Sequence, residues 1–187
     1  MDYVRSLILF VLSIFCNSAD GADRIPQAGD VGSTVPSFQM RTVSGPLMNR
    51  SVCHVCRNGD RPVVMVVLRE LGPSQRVLLR NLDRCIEQNR EQGLRSFAVY
   101  LSDVPRRDLQ RVQTFQYNGR IDMPVGLSPS AIGEDQLGVD ASIPVSVILY
   151  NEQTVWKRFD FDDDGPSHQE IREILSEVEG LVSEAVD

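Results

Sequence analysis

The sequence predicts an α/β domain in which a mixed sheet is covered on both faces by helices. Three observations point there. Val63–Leu68 is an unbroken apolar run bounded by Pro62 and by Gly72-Pro73, the pattern of a strand buried on both sides. Helix-like and strand-like stretches then alternate as far as Leu127, as parallel strands joined by crossover helices require. Finally, Pro144–Tyr150 and Val155–Phe161 are separated by so few residues that they must pair antiparallel, and an amphipathic stretch follows them.

Length and composition fit one such domain. The chain has 187 residues, 42% of them hydrophobic and 24% charged, ordinary values for a protein with a sizeable core. A net charge of −7 argues against a phosphate-binding surface, so nucleic acid is not an expected partner. At the start, one basic residue, Arg5, precedes the apolar run Ser6–Cys16, and small residues follow it. That layout predicts a secretory signal peptide over residues 1–19, cut between Ser18 and Ala22. The run is too short to cross a bilayer, which takes about 20 residues, so no membrane span is expected in the mature chain. An uncleaved interfacial anchor is the alternative. The reading is of an exported protein, periplasmic or extracellular, with a flexible lead-in over 20–31 and a folded domain over 32–187.

In chain order, Phe38–Val43 alternates apolar and polar residues, a half-buried strand turned by Ser44-Gly45-Pro46. Leu47–Asp60 reads as a loop. After the buried strand, Pro73 opens a helix whose Leu78, Leu82, Cys85, Ile86 and Asn89 share one side, and Gly93 ends it. Ser96–Leu101 is a second buried strand, Pro105–Tyr117 a shorter helix and Met123–Leu127 a short strand. Pro129–Leu137 is a loop or a single helical turn. The last helix, Ser167–Val182, begins with Ser167-x-x-Glu170, a capping box, and lines up Ile171, Ile174, Leu175, Val178 and Leu181.

This order carries three local signatures. Gly32-x-x-Val35-Pro36-x-Phe38, Arg61-Pro62 before the buried strand, and Leu137-Gly138-Val139-Asp140-Ala141-Ser142-Ile143-Pro144 stand in sequence at fitting distances. Together they resemble the thioredoxin-like superfamily in its redoxin (AhpC/TSA-like) form, with an N-terminal β extension, over about residues 32–182. The resemblance implies a three-layer α/β/α sandwich with a mixed central sheet. It also implies a cis-proline at Pro144, and substrate contacts from Pro144, Ile143, Gly72 and Pro73. In that superfamily the redox cysteines follow the first central strand. Here that turn reads Glu70-Leu71-Gly72-Pro73-Ser74, so the chain lacks cysteines at the usual active-site turn.

The paired chemistry lies upstream, at Cys53-His54-Val55-Cys56. Three readings stay open: a structural disulfide, a redox-active dithiol with a lowered thiol pKa, and a soft metal site. The adjacent Cys53 and His54 are awkwardly placed to share one ion, and the chain contains no second C-x-x-C, so no metal and no cofactor is assigned. Cys85 is either a small buried hydrophobe or a resolving thiol. Strand and helix geometry place it at the same end of the sheet as the pair. Asp160-x-Asp162-x-Asp164-Gly165 copies half of a calcium loop, but Ile171 stands where a bidentate Glu is needed. The functional expectation is thiol–disulfide exchange through Cys53 and Cys56 with protein thiols or disulfides. The alternative is a non-catalytic binding module stapled by the same bond.

Overall fold

The computed structural model describes residues 28–162 and 165–186. The expected signal segment, most of the lead-in and Asp164 lie outside the described residues. Seven strands form one sheet: β1 (Met40–Thr42), β2 (Ser51–Val52), β3 (Val63–Leu68), β4 (Arg95–Leu101), β5 (Val125–Ser128), β6 (Val145–Asn151) and β7 (Thr154–Phe161). Their order across the sheet is β2-β1-β5-β4-β3-β6-β7. Four helices accompany them: α1 (His54–Asn58), α2 (Pro73–Gln88), α3 (Pro105–Gly119) and α4 (His168–Val186).

β3 is fully buried, as its unbroken apolar run requires. It pairs parallel with β4, from Val63 opposite Arg95 to Leu68 opposite Tyr100. On its other side it pairs antiparallel with β6, from Val63 opposite Tyr150 to Leu68 opposite Val145. Because side chains alternate along a strand, β3 feeds two cores. Val64, Val66 and Leu68 join one with residues of α2, α3 and α4. Val63, Met65 and Val67 join the other with Phe38, Val55, Phe97, Leu137 and Tyr150.

The crossovers β3–α2–β4 and β4–α3–β5 step the same way across the sheet, so the right-handed rule puts both helices on one face. α4 packs beside α2 there. The opposite face is closed by α1, the lead-in and a single π-helical turn, Ile132–Gln136. The molecule is therefore the expected layered α/β sheet, with long helices on one side and short elements on the other.

The local signals explain the helix ends. Gly72 is the N-cap of α2 and Pro73 fills its first turn. At α4, the Ser167 N–H donates to Glu170 Oε2 at 2.7 Å and the Glu170 N–H to Ser167 Oγ at 3.3 Å, the capping box read from the sequence. The β7 edge of the sheet is partly covered. The Gly32 N–H donates to Val155 O, and the Val155 N–H to Ser33 O, so the start of the folded domain runs along the start of β7. Gly138 sits at φ +59°, and a side chain there would collide with the Ala28 carbonyl.

A buried carboxylate fastens α3. Asp108, 4% exposed, accepts Ser102 Oγ–H at 2.7 Å and Arg111 Nη1–H at 3.1 Å. The Ser102 hydrogen bond, then Arg111 and the nearby Arg107, hold its pKa below the usual carboxylate value. Asp108→Asn is expected to cost about 1.5–3 kcal/mol near neutral pH, measured by urea unfolding. A depressed folded pKa contributes stability that is full above the unfolded value of about 3.9 and is lost as pH falls through the folded value. The difference between wild type and variant should therefore shrink on acidification; a constant difference down into strong acid contradicts the assignment.

Candidate functional site

The expected loop Leu47–Asp60 is more ordered than the sequence suggested. It follows directly on a 3₁₀ turn (Gly45–Leu47) and contains β2 and the short helix α1. Cys53 is the N-cap of α1, in extended conformation, and its Sγ accepts the Cys56 N–H at 3.1 Å. The Arg57 N–H closes on Cys53 O at 3.1 Å, and Gly59, at φ +58°, ends the helix by donating to Val55 O. Five residues make a marginal helix. Here a Cys53–Cys56 disulfide, with Cα atoms 5.3 Å apart, and the buried side chains of His54 and Val55 hold the turn in place.

The two sulfurs are not equivalent. Cys53 is 9% exposed and belongs to the second core, whereas Cys56 is exposed. Between them in sequence, His54 is 6% exposed and stacks on Phe97 with ring centroids 5.3 Å apart. Among the described residues its Nε2 has no hydrogen-bond partner. Burial first, and then the Arg57 charge, lower its pKa to about 4, so the imidazole is neutral in the folded chain at neutral pH.

α1 leads within a few residues into β3, which places the cysteine pair at the strand's N-terminal end. Gly72, Pro73, Ile143 and Pro144 gather at the other end, where the Arg69 N–H donates to Pro144 O at 2.8 Å. Six residues of strand, about 20 Å, separate the two poles. Two expectations need correction here. The Ile143–Pro144 bond is not cis: all peptide bonds among the described residues are trans. An X–Pro bond keeps its ordinary preference unless a turn forces otherwise, and Pro144 simply delivers its carbonyl to the sheet ladder.

The chain is also not adequately described as lacking the redox turn. Leu71 and Ser74 do stand ahead of and within the first turn of α2, but Cys53-x-x-Cys56 forms a closed cysteine turn at the start of a different helix.

Cys85 does not join the pair. It projects from α2 into the first core, alongside Val64, Leu82 and Val178, whereas Cys53 lies in the second. The sheet stands between them. Burial, then the Glu179 charge, raise the Cys85 thiol pKa, and Asn89 Nδ2 lies 3.7 Å from its Sγ. A resolving role for Cys85 has no geometry to support it, and core filling does. Asp160 is occupied by Ser146 Oγ–H at 2.6 Å and by Arg158, which answers for one of the three acids in the calcium-like segment. His168 is exposed at the start of α4.

What the sequence reading missed is the side of α1 turned away from Cys56. His54, Arg57, Asn58 and Arg61 line a cleft at the N-terminal pole. Gly59 after a polar stretch was the available signal for a helix end, and the three- and four-residue spacing of these side chains follows once α1 is recognised.

Neither a protein-family model nor a curated relative matches the sequence. The fold does have solved counterparts. A Chlorobium tepidum protein assigned as the thiol:disulfide interchange protein DsbE superposes with a TM-score of 0.66 at 13% identity, over 82% of this chain and 98% of that one. The peroxidoxin BcpB of Mycobacterium tuberculosis gives 0.62 at 14% identity, over 80% and 96%. A secreted disulfide oxidoreductase of the same organism, homologous to Escherichia coli DsbE, gives 0.56 at 12% identity, over 78% and 94%. The class is thus settled: this is a thioredoxin-like fold. At such identities the likeness carries the fold alone. In this chain the cysteine turn lies ahead of the central strand β3.

The buried imidazole makes a testable statement about pH. The unfolded chain takes up a proton on His54 below 6.5, the folded chain only near 4. Its contribution to stability is therefore complete above pH 6.5 and drains away between 6.5 and about 4. His54→Phe, which keeps a ring against Phe97, should gain stability relative to wild type as pH falls through that window. Urea midpoints of the two proteins that shift in parallel would show that His54 is not buried neutral.

Proposed function

We propose that the chain is an exported thiol–disulfide oxidoreductase working through Cys53 and Cys56 on protein thiols or disulfides. The observation that carries this is the asymmetry of the bond. Cys56 is an exposed residue, and Cys53 is buried with a backbone N–H already aimed at its sulfur. The apolar segment Ser6–Cys16 supports export, and the fold supports a redox setting. In an exported location disulfides form and persist.

The chemistry follows from that asymmetry. A partner thiolate attacks Cys56 Sγ, because that sulfur is accessible. The Cys53–Cys56 bond breaks as a Cys56–partner disulfide forms, and Cys53 Sγ leaves with the electron pair. The Cys56 N–H stabilises the new thiolate, since a hydrogen bond to the charged form favours it. A second partner thiolate then attacks the partner's own sulfur in the mixed disulfide and releases Cys56 as a thiolate. The partner dithiol has become a disulfide, and the protein's disulfide has become a dithiol. Run in reverse, the same steps reduce a partner disulfide. The neutral His54 beside the pair adds no cation to the site, which leaves the backbone N–H as the local stabiliser.

A second reading has its own support: Cys53 lies in the core, as a staple would. Trapping separates the two. Cys53→Ser leaves the exposed Cys56 able to attack but removes the sulfur that resolves the intermediate. It should accumulate mixed disulfides with a small peptide disulfide, seen by mass spectrometry. Cys56→Ser, which leaves only the buried Cys53 of the pair, should form the adduct at least about tenfold more slowly, in line with its lower access. Equal trapping by both variants, or none by either in folded protein, rules out the proposed exchange.

A further inference from the structure

At the N-terminal pole, α1, the C-terminal half of α2, the start of β4 and the segment 122–124 ahead of β5 line a cleft of about 480 Å³. Its charges are unevenly matched. Asp83 is taken up by the Asp122 and Met123 N–H groups at 2.8 and 2.9 Å, and Glu87 pairs with Arg90 at 2.9 Å. Arg95 reaches only carbonyl oxygens, those of Arg90 and Leu94, and Arg61 reaches only Asn58 O. Among the described residues Arg57 has no carboxylate partner. Three guanidiniums thus face the cleft without a carboxylate partner among the described residues, against two acids, Asp83 and Asp122, that no cation pairs, which leaves the lining with four arginines to three carboxylates in a chain whose net charge is −7.

A second, independent feature lies in the same wall. His54 is 94% buried by its 6% exposure, lines the cleft, and carries an Nε2 with no partner.

We propose that this cleft docks the acidic flank of the cysteine-bearing peptide segment that exchanges with Cys56. Arg57 follows Cys56 directly, a Cα step of about 3.8 Å, and is exposed, so a peptide whose thiol reaches Cys56 lays its neighbouring residues over Arg57 and around α1 toward the cleft on the helix's other side. Guanidinium groups match carboxylates in a bidentate geometry, and an unpaired cationic rim speeds encounter with acidic partners. Arg57 and Arg61 supply the near side of that rim and Arg95 the far side. The exchange step rests on the function proposed above; the docking does not.

The experiment uses three pentapeptides, each with a central cysteine flanked on both sides by two glutamates, two serines or two lysines. Each peptide's rate with the oxidised full chain is divided by its rate with a small neutral disulfide, which removes differences in thiol acidity. At low salt the corrected rate should fall from glutamate to serine to lysine, by about tenfold from end to end, and the spread should narrow as salt is added. Arg57→Glu/Arg61→Glu should flatten or invert the order.

In parallel, the glutamate peptide with serine in place of its cysteine is titrated into the oxidised chain and followed by backbone amide NMR. Shifts at Arg57, Arg95 and Ser96 that the double variant loses support the cleft even if no peptide exchanges, and in that case only the redox reading falls. No shifts together with a charge-independent rate overturn the cleft, and so does an acidic preference that survives in the double variant.

Discussion

The structure depends first on the double-sided burial of β3. Its six residues have no polar member, so neither side can face water, and both β4 and β6 must pair with it while two separate cores close over it. Once those cores exist, the alternation of side chains decides which residues can ever meet. Val63, Met65 and Val67 share a core with Cys53, while Val64, Val66 and Leu68 share one with Cys85. Burying six such side chains contributes on the order of 10 kcal/mol of transfer free energy, before the entropy of ordering them is counted.

That division shapes the chemistry. The sheet isolates Cys85 and leaves Cys53 and Cys56 as a self-contained couple, with access governed by a helix of little more than one turn. Within the couple the core decides the roles: Val55 and His54 point inward and carry Cys53 down with them, so Cys56 is turned outward. The pair therefore occupies the pole opposite to Gly72-Pro73 and Pro144. A partner exchanging with this pair, as proposed, meets the N-terminal ends of the strands, where α1 and β4 carry Arg57 and Arg95.

Much of the fold was legible because its signals are local and strong. The apolar run of β3, Pro73 at the start of α2, the Ser167–Glu170 box and the short link between β6 and β7 each follow from one physical rule. The site was legible only in part. Cys53 and Cys56 stand out by spacing, and strand direction put them at the correct pole. Their unequal exposure did not show, because it depends on Phe97, from elsewhere in the chain, stacking on His54 and sharing the second core with Cys53 and Val55. Cys85 illustrates the reverse. Helix rise placed it at the correct height, but height along a strand says nothing about which face of the sheet a side chain occupies. Pro144 was read through a resemblance, and the local backbone here does without the cis bond.

The central claim is that the Cys53–Cys56 bond is an exchangeable couple and not a permanent staple. The most direct measurement is its reduction potential, obtained by equilibrating the full chain against thiol–disulfide buffers and quantifying the free Cys53 and Cys56 thiols. Stabilisation of the Cys53 thiolate by the Cys56 N–H predicts a value above about −300 mV, within reach of biological dithiols. A value below about −300 mV, where structural disulfides of exported proteins lie, contradicts the account.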